Sequence, residues 1–304
     1  MKEYIEFRII MKYAHLLFKE DEGVNLGDSV KIIKIEKSDP RFKEIGEIQK
    51  KARLQHELFY SSYEYKRVYS KEELQNAKFF RIIQTRLFEP AGEECGTIYD
   101  ESTACPICGA GAQQKSPLKL KKSSIPHADI ATTIASGQED IASENFVKLV
   151  RDNKLTGIDF SPVINYVKEE QITNYYQIRP LRYLDFSKET VFGQNPFDLS
   201  GESPSFTWEY LKPDGSKIRE TYPPKIYKCP NGDNMGLNIL SEAYIKSIPE
   251  LGTLDFFASR QTVGGRMGLI RPYHLLFCSN RMMRLIKENK LKGFKFEVAH
   301  IVDE

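Results

Sequence analysis

Two stretches of this chain carry the same order of apolar and polar positions. Ser143-Glu-Asn-Phe-Val-Lys-Leu-Val-Arg-Asp-Asn-Lys-Leu-Thr-Gly-Ile-Asp-Phe160 aligns without a gap on Ser279-Asn-Arg-Met-Met-Arg-Leu-Ile-Lys-Glu-Asn-Lys-Leu-Lys-Gly-Phe-Lys-Phe296. The serine, a leucine (Leu149, Leu285), the run Asn-Lys-Leu, a glycine (Gly157, Gly293) and the final phenylalanine coincide. Serine is a good helix N-cap. Val147 with Val150, and Met283 with Ile286, recur at helical spacing and predict a buried stripe. The glycine falls where a helix exit needs a relaxed backbone. Alternating positions then begin a strand, and His274-Leu-Leu-Phe-Cys278 predicts another strand ahead of the second copy. Each copy therefore predicts strand, helix, strand. A fainter third copy, Ser241-Glu-Ala-Tyr-Ile-Lys-Ser-Ile running into Leu254-Asp-Phe-Phe257, predicts a further helix after Ser241.

Elsewhere the pattern is mixed. Phe7 to Phe18 predicts a strand pair or one long strand. Ile45, Ile48, Ala52, Leu54 and Leu58 form an approximate helical stripe over residues 42–58. Tyr60, Tyr63, Tyr65 and Tyr69 predict extended chain. Ser70-Lys-Glu-Glu73 is a capping box that opens a short helix. Phe79 to Leu87 predicts a strand. Residues 165–235 hold turn signals at Pro213-Asp-Gly215 and Tyr222-Pro-Pro224 and predict a β insert with aromatic surface, of which Trp208, Tyr210 and Tyr222 are the candidate contact residues. The fold class expected is α+β, with mixed sheets, duplicated strand-helix-strand units and a zinc-knuckle insert. The domains expected are 1–125, an N-terminal α+β region with the knuckle at 91–125, and 126–304, a C-terminal α/β domain with the repeat.

Composition narrows the function classes. A chain of 304 residues that is 40% hydrophobic and 28% charged can bury a core. It contains no apolar run of membrane-spanning length, and charges interrupt the first ten residues where a signal peptide needs an apolar stretch. A cytoplasmic protein is expected. The net charge of +2 is too small for a general nucleic-acid binder, although Lys115, Lys119, Lys121 and Lys122 form a local basic run.

The densest chemistry is in the cysteines. There are five, an odd number that argues against a disulfide framework. Cys105-Pro-Ile-Cys108-Gly109 lets two thiolates point at one metal, with glycine relieving the turn behind them. Cys95-Gly96 looks like the end of a second such turn whose first cysteine, at position 92, is glycine. The expected metal ligands are Cys95, Cys105, Cys108 and His127, around a structural Zn2+. Glu93, Cys229 or water are the other candidates for the fourth position. Catalytic signals are thin. Gly264-Gly-Arg-Met-Gly268 with Arg260 and Arg271 can cradle an anion, but also suits a tight turn. His300 with Asp303 and Glu304 lies at the chain's end, His274 sits in a strand pattern, and Cys278 reads as a small apolar group. No catalytic residue is assigned.

The two Cys-Gly turns, together with the Ser-helix-Leu-Thr-Gly-strand unit at Ser143 to Val163 and its echo at Ser279 to Val298, resemble the bacterial double-CXXCG-motif immunity proteins of polymorphic toxin systems. Gly92 departs from that pattern, because it stands where a cysteine is expected. The resemblance implies a non-enzymatic protein that neutralises a cognate toxin by occlusion. The partner expected is a protein, with neither nucleic acid nor membrane. Two other readings stay open: a zinc-knuckle nucleic-acid module, and an enzyme using the glycine–arginine loop or an open zinc site.

Overall fold

The computed structural model describes residues 1–303 except 107, 136–138, 194–195, 198–205, 212–215, 223–228, 230–231 and 236–237; the side chains of 206–211, 218–222 and 235 are outside it as well. The chain divides into two units, the first made of Met1–Asn76 with Asn195–Ser203, the second of the remainder. The expected boundary at residue 125 is thus replaced by one near residue 76. The reason is strand pairing: β5 (Phe79–Gln84) lies between two C-terminal strands, so it belongs with them.

The first unit contains β1 (Lys2–Ile10), the helical turn α1 (Met11–Ala14), β2 (Val24–Leu26), β3 (Val30–Glu36), α2 (Arg41–Leu54) and β4 (Tyr60–Val68). Its antiparallel sheet has the order β2-β3-β1-β4. Ile5, Phe7 and Ile9 alternate into the core, as a strand with one buried face requires. Helix α2 buries Ile45 there, and the Phe197 ring packs on Phe42 at 4.8 Å. The capping box forms at the start of α3 (Lys71–Asn76): Ser70 N–H donates to Glu73, and Glu73 N–H donates back to Ser70 Oγ.

Among the described residues the second unit holds two large sheets and three two-stranded ones. Its next strands are β6 (Leu87–Phe88), β7 (Tyr99–Asp100), β8 (Gln113–Gln114), β9 (Leu118–Leu120), β10 (Ile130–Thr133) and β11 (Asp140–Ser143). Then come α4 (Glu144–Asp152), β12 (Ile158–Asn165), β13 (Glu170–Pro180), β14 (Tyr183–Leu184), β15 (Phe192–Gly193), β16 (Phe206–Leu211), β17 (Lys217–Tyr222), β18 (Asn234–Met235) and β19 (Asn238–Ile239). The chain ends with β20 (Ala243–Lys246), β21 (Phe256–Gly264), β22 (Tyr273–Ser279), α5 (Asn280–Glu288) and β23 (Phe294–Val302). Hairpin β16–β17 lies in the stretch where a β insert is expected, but the side chains of Trp208, Tyr210 and Tyr222 are among those not described. The helix expected after Ser241 does not form. That segment is β20, with Ile245 fully buried, because Ala243 and Ile245 alternate inward. No helix among the described residues is long and apolar enough to cross a membrane.

One sheet has the order β6-β10-β11-β13-β12-β9, the other β14-β21-β22-β5-β23-β20. Read position by position, the strand directions agree. The first pair in each is parallel (β6 with β10, β14 with β21), the next three are antiparallel, and the last is parallel (β12 with β9, β23 with β20). The central strand of each sheet runs on into the edge of the other: β5 is followed by β6, and β13 by β14.

The aligned stretches are built alike. Ser143 and Ser279 each accept a hydrogen bond from the backbone of the third residue on, Phe146 and Met282. Val147, Val150, Met283 and Ile286 are buried, as their spacing predicts. Lys154 and Lys290 adopt φ of 50° and 54°, and Gly157 and Gly293 follow at 86° and 98°. Each stretch also grips the other. Asp129, just before β10, accepts from Ser143 Oγ at 2.6 Å and from the Lys292 N–H at 2.7 Å. Asp255, just before β21, accepts from Ser279 Oγ at 2.7 Å and from the Thr156 N–H at 3.2 Å. Both residues are buried, so these hydrogen bonds satisfy polar groups that water does not reach.

Candidate metal centre

The sulfurs of Cys105, Cys108 and Cys229 all lie within 4.8 Å of one another, and all three residues are buried. This group can hold a metal ion. Two turns deliver it. In the first, the Gly109 N–H closes on Cys105 O at 2.8 Å, and the Cys105 N–H on Ala110 O at 2.7 Å. Gly109 has φ +76° and lies under Arg266, where an added Cβ would meet Arg266 Cβ at 2.6 Å, so glycine is required there. In the second, the Gly232 N–H closes on Cys229 O at 2.8 Å, and the Cys229 N–H on Asp233 O at 2.9 Å. Asp233 leads directly into β18, which pairs with the end of β21. Its Oδ1 accepts from the backbone N–H and hydroxyl of Thr262 at 3.0 and 2.9 Å. Its Oδ2 lies 3.5 Å from Cys229 Sγ and 3.9 Å from Cys108 Sγ. A hydrogen bond with Cys229, reinforced by burial, pushes the Cys108 thiol well up.

Of the expected ligands, Cys105 and Cys108 are in this group, and Cys95 and His127 are not. Cys95 closes a 3-10 turn (Glu93–Cys95), with its N–H on Gly92 O at 3.0 Å. It is buried, desolvation raises its pKa, and a backbone hydrogen bond from Lys121 opposes that rise. The glycine at position 92 has a packing cause. A Cβ there would meet Leu118 Cδ1 at 2.6 Å and Glu139 Oε1 at 2.8 Å. Cysteine at 92 would have to displace the ends of those side chains, and the Cys95 sulfur stands outside the group of three. His127 is exposed in the loop before β10. The third sulfur of the group comes instead from the turn Cys229-Pro-Asn-Gly-Asp233. The signal for it was the pair Cys-Pro, shared with Cys105-Pro106; the missing second cysteine hid it.

A buried polar chain positions the first turn. Glu139 Oε2 accepts from the Gly92 N–H at 2.8 Å and from the Thr133 hydroxyl, while Oε1 accepts from Tyr99 Oη at 2.8 Å. The Arg271 guanidinium lies 3.9 Å from the Tyr99 ring centroid and binds Glu93 at 2.7 Å and Glu101 at 2.8 Å. Burial alone would lower the Arg271 pKa, but the bonds to Glu101 and Glu93 outweigh it and raise the value. Arg266 also binds Glu101, and its N–H donates to Cys108 O at 3.0 Å. The arginines of the glycine-rich loop are thus committed to carboxylates. Arg260 is exposed and pairs with Asp185 at 3.3 Å, and His300 faces Glu242 at 2.8 Å.

Asp140, next to Glu139, accepts from Gln84 at 2.9 Å. Loss of solvent, with the Glu139 charge adding, pushes its pKa up to about 6 from 3.8. The folded chain then binds more protons than the unfolded chain between those values, so this group's contribution falls as the pH rises through about 6. Asp140→Asn is expected to stabilise the fold at pH 7.5 by ~3 kcal/mol at most. Urea unfolding across pH 4 to 7.5 checks this: the gain should vanish near pH 4, and a gain independent of pH would contradict the assignment.

No protein-family model matches the chain, and no curated protein matches it.

Proposed function

We propose that the chain is a non-enzymatic binding protein whose larger unit is a duplicated sheet-and-helix module clamped by a structural zinc ion, and that the partner it occludes is a toxin protein. The observation carrying this reading is the convergence of three buried sulfurs from two turns about 120 residues apart. Soft thiolates favour zinc over magnesium, calcium or manganese, and a dry site suits a structural rather than an open catalytic ion. All five cysteines are free thiols, which fits a reducing compartment such as the cytoplasm. The matched order and directions of the two sheets support duplication, with each half contributing one cysteine turn. Arg266 and Arg271 are paired with Glu101 and Glu93, which weakens the anion-cradle reading and favours binding over catalysis. Lys115 and Lys119 pair with Asp100 and Glu169, which weakens the nucleic-acid reading.

The toxin partner rests on the resemblance. That resemblance loses its Cys95 leg, since the Cys95 sulfur is not in the group, and keeps the Cys105–Gly109 turn and the two serine-capped helices. The test is co-expression of the chain with each product encoded beside it. Rescue of growth from one toxic product, together with a stable complex on gel filtration, is the expected result. Absence of any toxic neighbour that the chain binds would overturn the proposal.

A further inference from the structure

We infer that Asp233 supplies the fourth ligand, so that the centre is three thiolates and one carboxylate. This rests on the metal clamp proposed above and goes beyond it by assigning the position that no cysteine fills.

The two turns stand at matching places in their halves. Cys105–Gly109 precedes β9, the strand beside β12, and Cys229–Asp233 precedes β20, the strand beside β23. Cys229 therefore takes the rank of Cys105, and the rank of Cys108 falls to Gly232, which has no ligand atom. The next side chain is Asp233. A tetrahedral centre with metal–sulfur near ~2.3 Å and metal–oxygen near ~2.0 Å has sulfur–oxygen edges of about 3.5 Å. Asp233 Oδ2 stands 3.5 Å from Cys229 Sγ and 3.9 Å from Cys108 Sγ, close to two such edges; it lies outside the group held within 4.8 Å, so the edge to Cys105 closes only when the ion draws the ligands in. Its other oxygen is held by both Thr262 donors, so Oδ2 is presented to the sulfurs by a fixed carboxylate. Outer hydrogen bonds of this kind orient metal ligands. A divalent ion with these four ligands carries net negative charge. Arg266 braces the same turn by donating its backbone N–H to Cys108 O at 3.0 Å, while its buried guanidinium is paired with Glu101.

Zinc-edge X-ray absorption of the purified full chain loaded with one equivalent of Zn2+ reads the ligand set without mutation. Three sulfurs and one oxygen, without imidazole scattering, are expected. In competition with a chromophoric chelator, Asp233→Ala should weaken Zn2+ binding by at least about 100-fold, since loss of a mere supporting hydrogen bond already costs 10–100-fold. Asp233→Cys should restore binding and add thiolate-to-metal absorption in the Co2+ form. Four sulfurs, an imidazole, or unchanged affinity in Asp233→Ala would overturn the assignment while leaving the clamp intact. A wild-type chain that binds neither Zn2+ nor Co2+ would overturn the clamp itself, and this inference with it.

Discussion

Alanine at Gly157 or Gly293 is expected to destabilise the second unit by at least about 4 kcal/mol, enough to leave much of the protein unfolded at 37 °C. Two costs add. Both glycines have positive φ, a region that costs an ordinary residue about 1–2 kcal/mol. A Cβ at Gly157 would also lie 2.0 Å from Phe256 O, and one at Gly293 would lie 2.3 Å from Ile130 O. Those oxygens belong to strand backbones and cannot swing aside. Each contact is made to the opposite sheet, at matching positions: Phe256 starts β21 and Ile130 starts β10. The two substitutions should therefore be similarly severe. Gly27→Ala and Gly268→Ala are the controls. They have positive φ but nothing within 4 Å of the added carbon, so only the backbone cost applies. Thermal unfolding of the four variants decides the matter. If Gly157→Ala melted no lower than Gly268→Ala, the close approach would be wrong.

Removing the proposed metal, or one of the thiolates that would hold it, is the second large effect. The proposed clamp would join Cys108 to Cys229 across about 120 residues. A cross-link closing a loop of that size is worth up to about 5 kcal/mol in lost unfolded-state entropy. Chelation, Cys105→Ser, Cys108→Ser and Cys229→Ser are each expected to lower stability by several kcal/mol and to abolish stoichiometric zinc. Cys95→Ser and Cys278→Ser should keep one zinc per chain, whatever they do to stability, because neither sulfur is in the group. Metal content by mass spectrometry, followed by urea unfolding with and without chelator, measures both. Loss of zinc from Cys95→Ser with full retention in Cys229→Ser would reverse the ligand assignment.

The sequence expectations held where local rules act alone. The Ser70–Glu73 box, the Ser143 and Ser279 caps, and the buried stripes of α4 and α5 follow from spacing within one or two turns of chain. Ser241 shows the limit of that reasoning. It resembles the other two serines, but the residues after it pair with β23, and sheet pairing overrides a weak cap signal. The domain boundary failed for the same reason, since nothing near Phe79 announces that its partners lie about 200 residues away.

The chain by itself determined its two serine-capped helices with the strands beside them, one two-cysteine turn and a composition able to bury a core. Those depend on interactions between near neighbours, which spacing encodes. Tertiary packing alone decided that β5 and β13 each run on into the edge of the other sheet, that position 92 is crowded by Leu118 and Glu139, and that Cys229 rather than Cys95 meets the Cys105 and Cys108 pair. Such meetings are fixed by long-range register and steric fit; the sequence offers Cys229 only as one candidate among several and cannot rank it, because near-neighbour spacing does not encode which distant turns meet.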